Sequence, residues 1–167
     1  MKIYVASSWR NILQPAIVVM LREMGHEVYD FRHPAPGKKG FAWSDIDPSW
    51  QAWTPAAYRE ALKDPIAEAG YALDIGALRA CDAVVYVLPC GRSASWEFGY
   101  AMGQGKPGYV VAFEPCEPEL MFREARILTT PDEVFDVFGE ACRACSQKPA
   151  KIRGLCLGCE ERRGPPG

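Results

Sequence analysis

The chain has 167 residues, of which 49% are hydrophobic and 24% charged, and a formal net charge of −2. That length supports one ordinary domain with a small appendage, and the apolar fraction excludes a disordered chain. The near-neutral charge leaves no global field that would draw the protein to nucleic acid or to an anionic membrane.

Met1-Lys2-Ile3-Tyr4-Val5 runs straight into apolar sequence without a basic segment followed by an apolar one, so no signal peptide is expected. The apolar runs are too short for a bilayer, and the expected location is the cytoplasm. Lys2 to Ala6 reads as a short buried strand, and Ser7-Ser8-Trp9-Arg10 as a polar turn. Asn11 to Met24 carries helical spacing at Ile12, Val19, Leu21 and Met24. Asn11 and Gln14 have capping-box spacing, Pro15 falls in the tolerant first turn, and Gly25 ends the helix. Glu27 to Phe31 is a second strand.

From Arg32 to Thr54 periodicity stops in a stretch rich in Pro, Gly and aromatics, including Phe41, Trp43, Trp50 and Trp53. Such an insertion is a functional lid or a satellite apolar cluster under a long loop. Pro55 to Leu62 and Pro65 to Ala80 read as helices with Pro near their starts. Ala83 to Leu88 is an unbroken apolar run, as expected of a central parallel strand. The loop Pro89-Cys90-Gly91-Arg92-Ser93 leads to a helix from Ala94 to about Gly103, with Gly99 and Ala101 small enough for close packing on the sheet. Tyr109 to Phe113 is a fourth strand, Arg126 to Leu128 a short fifth, and Thr130-Pro131-Asp132-Glu133 opens the last helix. The alternation predicts an α/β fold: a doubly wound, flavodoxin- or Rossmann-like parallel sheet of about five strands with flanking helices. The α/β domain spans 1–139, a small appendage 140–163 and a tail 164–167.

Ligands of such a sheet bind outside the carboxyl ends of its strands, where the loop bearing Ser7, Ser8, Trp9 and Arg10 should meet Gly91-Arg92-Ser93. Both loops lead into helix N-termini, whose free N–H groups favour anions. Glu97 lies four residues beyond Ser93 and is aimed inward if that helix points its N-terminus at the pocket; the commoner fate of a helical glutamate is solvent. Asp74 stands among Ala72, Leu73, Ile75 and Gly76, where a carboxylate is less expected, whereas Asp82 reads as a turn or cap residue.

Tyr4-Val5-Ala6-Ser7-Ser8-Trp9, then Asp74 and Asp82, then Gly91-Arg92-Ser93-Ala94-Ser95-Trp96-Glu97-Phe98-Gly99-Tyr100-Ala101 together resemble the nucleoside 2-deoxyribosyltransferase family. Its superfamily includes the deoxynucleoside 5′-monophosphate N-glycosidases. The resemblance runs to about Thr130. It implies that Glu97 attacks C1′ of the deoxyribose, that Asp74 binds or protonates the departing base, that Tyr4 orients the nucleophile and that Trp9 lies at the base. It further implies a homo-oligomer with sites completed across subunits, and a free nucleobase as acceptor if the reaction is transfer. The family's transferases carry an aspartate at the position of Gly91, toward the sugar 5′-hydroxyl. Gly91-Arg92-Ser93 instead suits a 5′-phosphate. Glu119-Leu120-Met121 falls where transferases place an Asn-Leu-Met reaching a neighbour's sugar, and a carboxylate at 119 favours a hydroxyl over a phosphate. Trp43 and its aromatic neighbours are candidates to stack on the base.

Of seven cysteines, Cys81, Cys90 and Cys116 read as buried small hydrophobes. Cys142, Cys145, Cys156 and Cys159 form two CxxC pairs separated by ten residues, the pattern of a structural zinc ribbon with no open coordination position. Catalysis itself calls for no cofactor. Three functions remain open on the same fold: retaining cleavage or transfer of the N-glycosidic bond of deoxynucleosides or their 5′-monophosphates, a non-catalytic nucleotide sensor docking through the ribbon, and an NAD-type glycohydrolase.

Overall fold

A computed structural model describes residues 1–139. Five strands, Lys2–Ala6 (β1), Glu27–Asp30 (β2), Ala83–Val87 (β3), Gly108–Val111 (β4) and Arg126–Leu128 (β5), form one parallel sheet in the order β2-β1-β3-β4-β5. The helices are Gln14–Glu23 (α1), Pro55–Ala61 (α2), Pro65–Ala80 (α3), Arg92–Gly103 (α4) and Pro131–Phe138 (α5). The strand order reverses between β1 and β3, so the doubly wound reading holds and the switch point lies where their carboxyl ends meet.

Side chains alternate across the sheet and build two cores. Ile3, Val5, Val85 and Val87 pack with Ile17, Leu21, Val134 and Phe138 on one face. Tyr4, Ala6, Val84 and Tyr86 pack with Ile75, Leu78, Phe98 and Ala101 on the other. All five residues of β3 are buried, which is why its sequence is apolar without alternation. Each fully buried aliphatic side chain contributes about 1.5–3 kcal/mol.

Helix starts follow their capping chemistry. Thr54, Asp64 and Thr130 accept from Ala57, Ile66 and Glu133 N–H respectively, each with Pro in the first turn behind it. Glu133 returns to Thr129 N–H, so the box is pulled one residue further upstream. Asp82 accepts from Lys2 N at 2.6 Å and joins the starts of β1 and β3, a structural tie.

Four expectations are corrected. α1 begins at Gln14, three residues later than read, because Asn11 Oδ1 accepts from Leu13 and Gln14 N–H and holds the preceding turn. The buried face becomes Gln14, Ile17, Val18 and Leu21, while Ile12 is 94% exposed and Val19 about half exposed. Gln14 does not close a capping box. Its Nε2 donates to buried Asp30, whose carboxyl is held below its usual range: burial opposes the charge, but Gln14, His33 and Arg32 N–H outweigh it. A Cβ at Gly99 would meet nothing within 4 Å, so only Ala101 is needed small against the sheet. Finally, Cys81 is buried as expected, but Cys90 is half-buried and Cys116 exposed, on the loop after β4. Cys142, Cys145, Cys156 and Cys159, and with them the expected zinc ribbon, lie outside the described residues.

Candidate functional site

The two loops expected to meet at the switch point do so, tied by donors to the end of β3. Ser7 Oγ donates to the Val87 carbonyl at 2.8 Å, and Asn11 Nδ2 donates to Val87 and Pro89 carbonyls at 2.9 and 3.1 Å. Arg32, entering from the end of β2, donates to the carbonyls of Ser8, Trp9 and Asn11 and stacks 5.6 Å from the Trp9 ring. The loop after β1 is therefore held on two sides before any ligand arrives. The Ser7 hydroxyl hydrogen is committed to Val87, so Ser7 offers a ligand only acceptor capacity.

Facing this loop, α4 starts at Arg92, with Gly91 at its cap making no side-chain capping bond and leaving open space where a Cβ would stand. Ser7, Ser8, Trp9 and Arg10 from one loop, and Gly91, Arg92 and Ser93 from the other, line a cleft region of about 880 Å³. Among the described residues its only acids are Asp74 and Glu97. A second region of about 630 Å³ adjoins it, lined by Tyr4 together with Tyr58, Leu62, Tyr71 and Trp96. Phe41, Trp43, Asp74, Ser93 and Glu97 line both. The carboxylates thus stand where the two regions meet: Arg10 and Arg92 line only the first, Tyr58, Tyr71 and Trp96 only the second, and aromatic side chains line both. Each region has the size of a small-molecule site.

Glu97 lies in the second turn of α4, directed at the sheet rather than at solvent. Burial raises its carboxyl from 4.5 to about 7, and the Asp74 charge adds to the rise. The Tyr4 hydroxyl works in the opposite direction by donating toward Glu97. That hydroxyl is buried, lies outside full hydrogen-bond geometry and has no other partner, which makes it a donor held in reserve beside the carboxylate. Asp74, on α3, is also raised by burial, and Tyr29 Oη donates to its Oδ1 at 2.6 Å. Burial and the two carboxylates push both tyrosines well above the ordinary phenol range, so each remains a neutral donor. The Asp74 charge is near enough to disfavour ionisation of Glu97.

The aromatic insertion forms an apolar cluster that also lines the cleft. Trp43 packs edge-on to Phe41, Trp53 and Tyr58 with centroids 4.7, 5.6 and 5.6 Å away, and Trp43 and Phe41 also wall the cleft. Lys39–Asp45 and Trp53–Asp47 contacts, both 2.6 Å, close its turns. Gly40 lets the insertion cross β2's exit: a Cβ there would collide with the Phe31 carbonyl and stand 2.8 Å from the Trp9 ring.

Glu119 and Met121 do not reach the cleft. The 3-10 turn Leu120–Glu124 is anchored by Phe122 against Tyr86 and Phe98, which leaves Glu119 exposed and Met121 73% exposed. Sequence reasoning missed Tyr29, Asn11 and Arg32 as site builders, and Tyr58, Tyr71 and Trp96 as walls. The polar neighbours of Asp74 could have been sought at strand ends, but no local signal marks Tyr29. Among the described residues, no group of three or more His, Cys, Asp or Glu side chains could hold a metal, and no helix is long and apolar enough to cross a membrane.

No family model and no curated protein matches the chain. Among solved structures, a 2-deoxyribosyltransferase from the psychrotolerant bacterium Bacillus psychrosaccharolyticus aligns with a TM-score of 0.53 and 19% sequence identity, over 80% of this chain and 90% of that one. At that identity the likeness establishes a shared fold.

Proposed function

We propose that the cleft cleaves or transfers the N-glycosidic bond of a 2′-deoxynucleoside 5′-monophosphate or deoxynucleoside, with Glu97 as nucleophile. The observation that carries this reading is the half-buried pair Glu97 and Asp74, attended by Tyr4 and Tyr29, where the cleft region bearing Arg10 and Arg92 meets the one walled by Tyr58, Tyr71 and Trp96. The fold shared with a 2-deoxyribosyltransferase supports it.

The chemistry needs an anion on one sugar face and a proton donor at the leaving nitrogen, because the transition state resembles an oxocarbenium ion. In the active microstate Glu97 is ionised and Asp74 carries a proton. A Glu97 oxygen bonds to C1′ as the C1′–N bond breaks, and the electron pair leaves with the base nitrogen, which takes the Asp74 proton. Tyr4 donates to the Glu97 oxygen not in the bond, holding it in place. Water or the ring nitrogen of a second base then attacks C1′, Asp74 takes the released proton and Glu97 departs as carboxylate. The two carboxyls thereby return to their starting state.

The cationic region suits a 5′-phosphate. Arg10, Arg92 and the uncapped start of α4 line it, and among the described residues no acid beyond Glu97 and Asp74 does so. The region walled by Tyr58, Tyr71 and Trp96 is suited to the base. Incubation of the purified chain with each deoxynucleoside and its 5′-monophosphate, with and without acceptor bases, tests the reading by chromatography. Neither free nor exchanged base from any substrate would refute it. The same reading makes the chain a homo-oligomer in which exposed Glu119 and Met121 serve a neighbouring copy, and gives Cys142, Cys145, Cys156 and Cys159 a structural zinc ion. Light scattering and metal analysis test these two points.

A further inference from the structure

Tyr4 and Tyr29 are register partners on neighbouring parallel strands. Their rings stack with centroids 5.2 Å apart and planes inclined by 18°. Parallel register sends both side chains to the same face, toward α3 and α4. There the pair divides: Tyr4 addresses Glu97 on α4, and Tyr29 Oη donates to Asp74 Oδ1 on α3 at 2.6 Å. One stacked unit therefore reaches both carboxylates.

We propose that Tyr29 is a positioning residue for Asp74: its hydroxyl, fixed by stacking on Tyr4, occupies one carboxyl oxygen and leaves the other for the ligand's leaving group. This deepens the functional reading above, and its role in turnover rests on that reading. Asp74 sits on a helix where its carboxyl could otherwise rotate about χ2, a broad, two-fold torsion. A short hydrogen bond from a half-buried ring with few accessible rotamers removes that freedom. Because the bond is donated to the carboxylate, it also opposes the rise that burial imposes on Asp74. Asp74 is faced by Tyr29 from β2, Tyr4 from β1 and Glu97 from α4, and Arg10 and Arg92 line the same cleft region. Without the Tyr29 bond, Asp74 would hold its proton more tightly and point it less consistently.

Tyr29→Phe keeps the ring and the stack and removes only the hydroxyl. Carboxyl carbon NMR of the full chain, with Asp74→Asn to assign the signal, should find the Asp74 titration moved to higher pH in Tyr29→Phe. An unmoved titration overturns the proposal, whatever the chain catalyses. From the opposite side, Asp74→Asn should move the Tyr29 tyrosinate titration, followed by ultraviolet absorbance, to lower pH; no movement likewise overturns it. In turnover, Tyr29→Phe should reduce kcat roughly ten- to hundred-fold with KM little changed. Added to Asp74→Asn it should cost little more, whereas full additivity in that double-mutant cycle counts against positioning through Asp74. A wild-type chain that cleaves no nucleoside would sink the functional reading and leave the two titrations to decide the role of Tyr29.

Discussion

Asn11 Nδ2 donates to the Val87 carbonyl across 76 positions of sequence, and so joins the two strand ends between which the cleft opens. The same side chain accepts from Leu13 and Gln14 N–H, so one 2% exposed amide ends a strand loop, starts a helix and fixes the mouth of the site. Four hydrogen bonds on one buried group make it a point of shared failure.

Asn11→Ala should therefore destabilise the fold by about 2–4 kcal/mol, since buried carbonyls and amides lose their partners. For a chain of this size that is a fall in Tm of roughly 5–15 °C. Calorimetry of the two proteins measures it; a loss below about 0.5 kcal/mol, the usual effect of a surface substitution, would contradict the assigned role.

The Glu97 carboxyl, moved from 4.5 to about 7 by burial and the Asp74 charge, gives one prediction for activity and one for stability. The proposed mechanism needs Glu97 ionised while Asp74 keeps a proton, so kcat/KM should fall as pH climbs through about 7, where the pair gives up its remaining proton. For stability, a carboxyl raised in the folded state binds its proton more tightly folded than unfolded. Stability from this group is greatest below 4.5 and falls as pH climbs to about 7. Glu97→Gln should then abolish turnover by roughly four orders of magnitude while stabilising the fold by up to about 3 kcal/mol at pH 8, with little effect at pH 4. Urea melts at the two pH values, set beside the rate, check both halves. Destabilisation at pH 8 would mean that the carboxylate is better solvated than its position implies.

If the cationic region holds a 5′-phosphate, Arg92→Ala should lower kcat/KM for monophosphates by roughly ten- to hundred-fold and leave the parent nucleosides nearly unchanged. Equal losses on both substrate classes would place the phosphate elsewhere.

Gly40→Ala forces a methyl group against the Phe31 carbonyl and the Trp9 ring. Backbone cannot yield as a flexible side chain does, so a cost of about 1–3 kcal/mol is expected. Because Trp9 and the neighbouring Phe41 wall the cleft, KM should rise more than kcat falls. A wild-type Tm together with wild-type KM would refute the packing account.

Zinc bound by the four C-terminal thiolates should appear as about one metal ion per purified chain and be lost from Cys142→Ser combined with Cys156→Ser. Metal-free wild-type protein with four titratable thiols would end that proposal.

The sequence by itself determined what short-range physics controls. Apolar runs located the strands, Pro55, Pro65 and the Thr130-Pro131 cap placed three helix starts, and the alternation of strands and helices implied the switch point. Asp74 was legible because a carboxylate amid small and apolar residues is unexpected, Glu97 because it lies one turn beyond Ser93 on the helix that leaves the switch point, and the resemblance suggested a role for each. Only the tertiary structure decided which groups attend them. Strand order and register set Tyr29 against Asp74, Asn11 against Val87 and Arg32 over three loop carbonyls, pairs separated by 45, 76 and 21 to 24 positions. It also turned Ile12 outward on α1 and kept Glu119 and Met121 out of the cleft. Periodicity and capping act within a few residues along the chain, whereas a carboxylate's proton affinity and a loop's rigidity depend on what folding brings within hydrogen-bond reach.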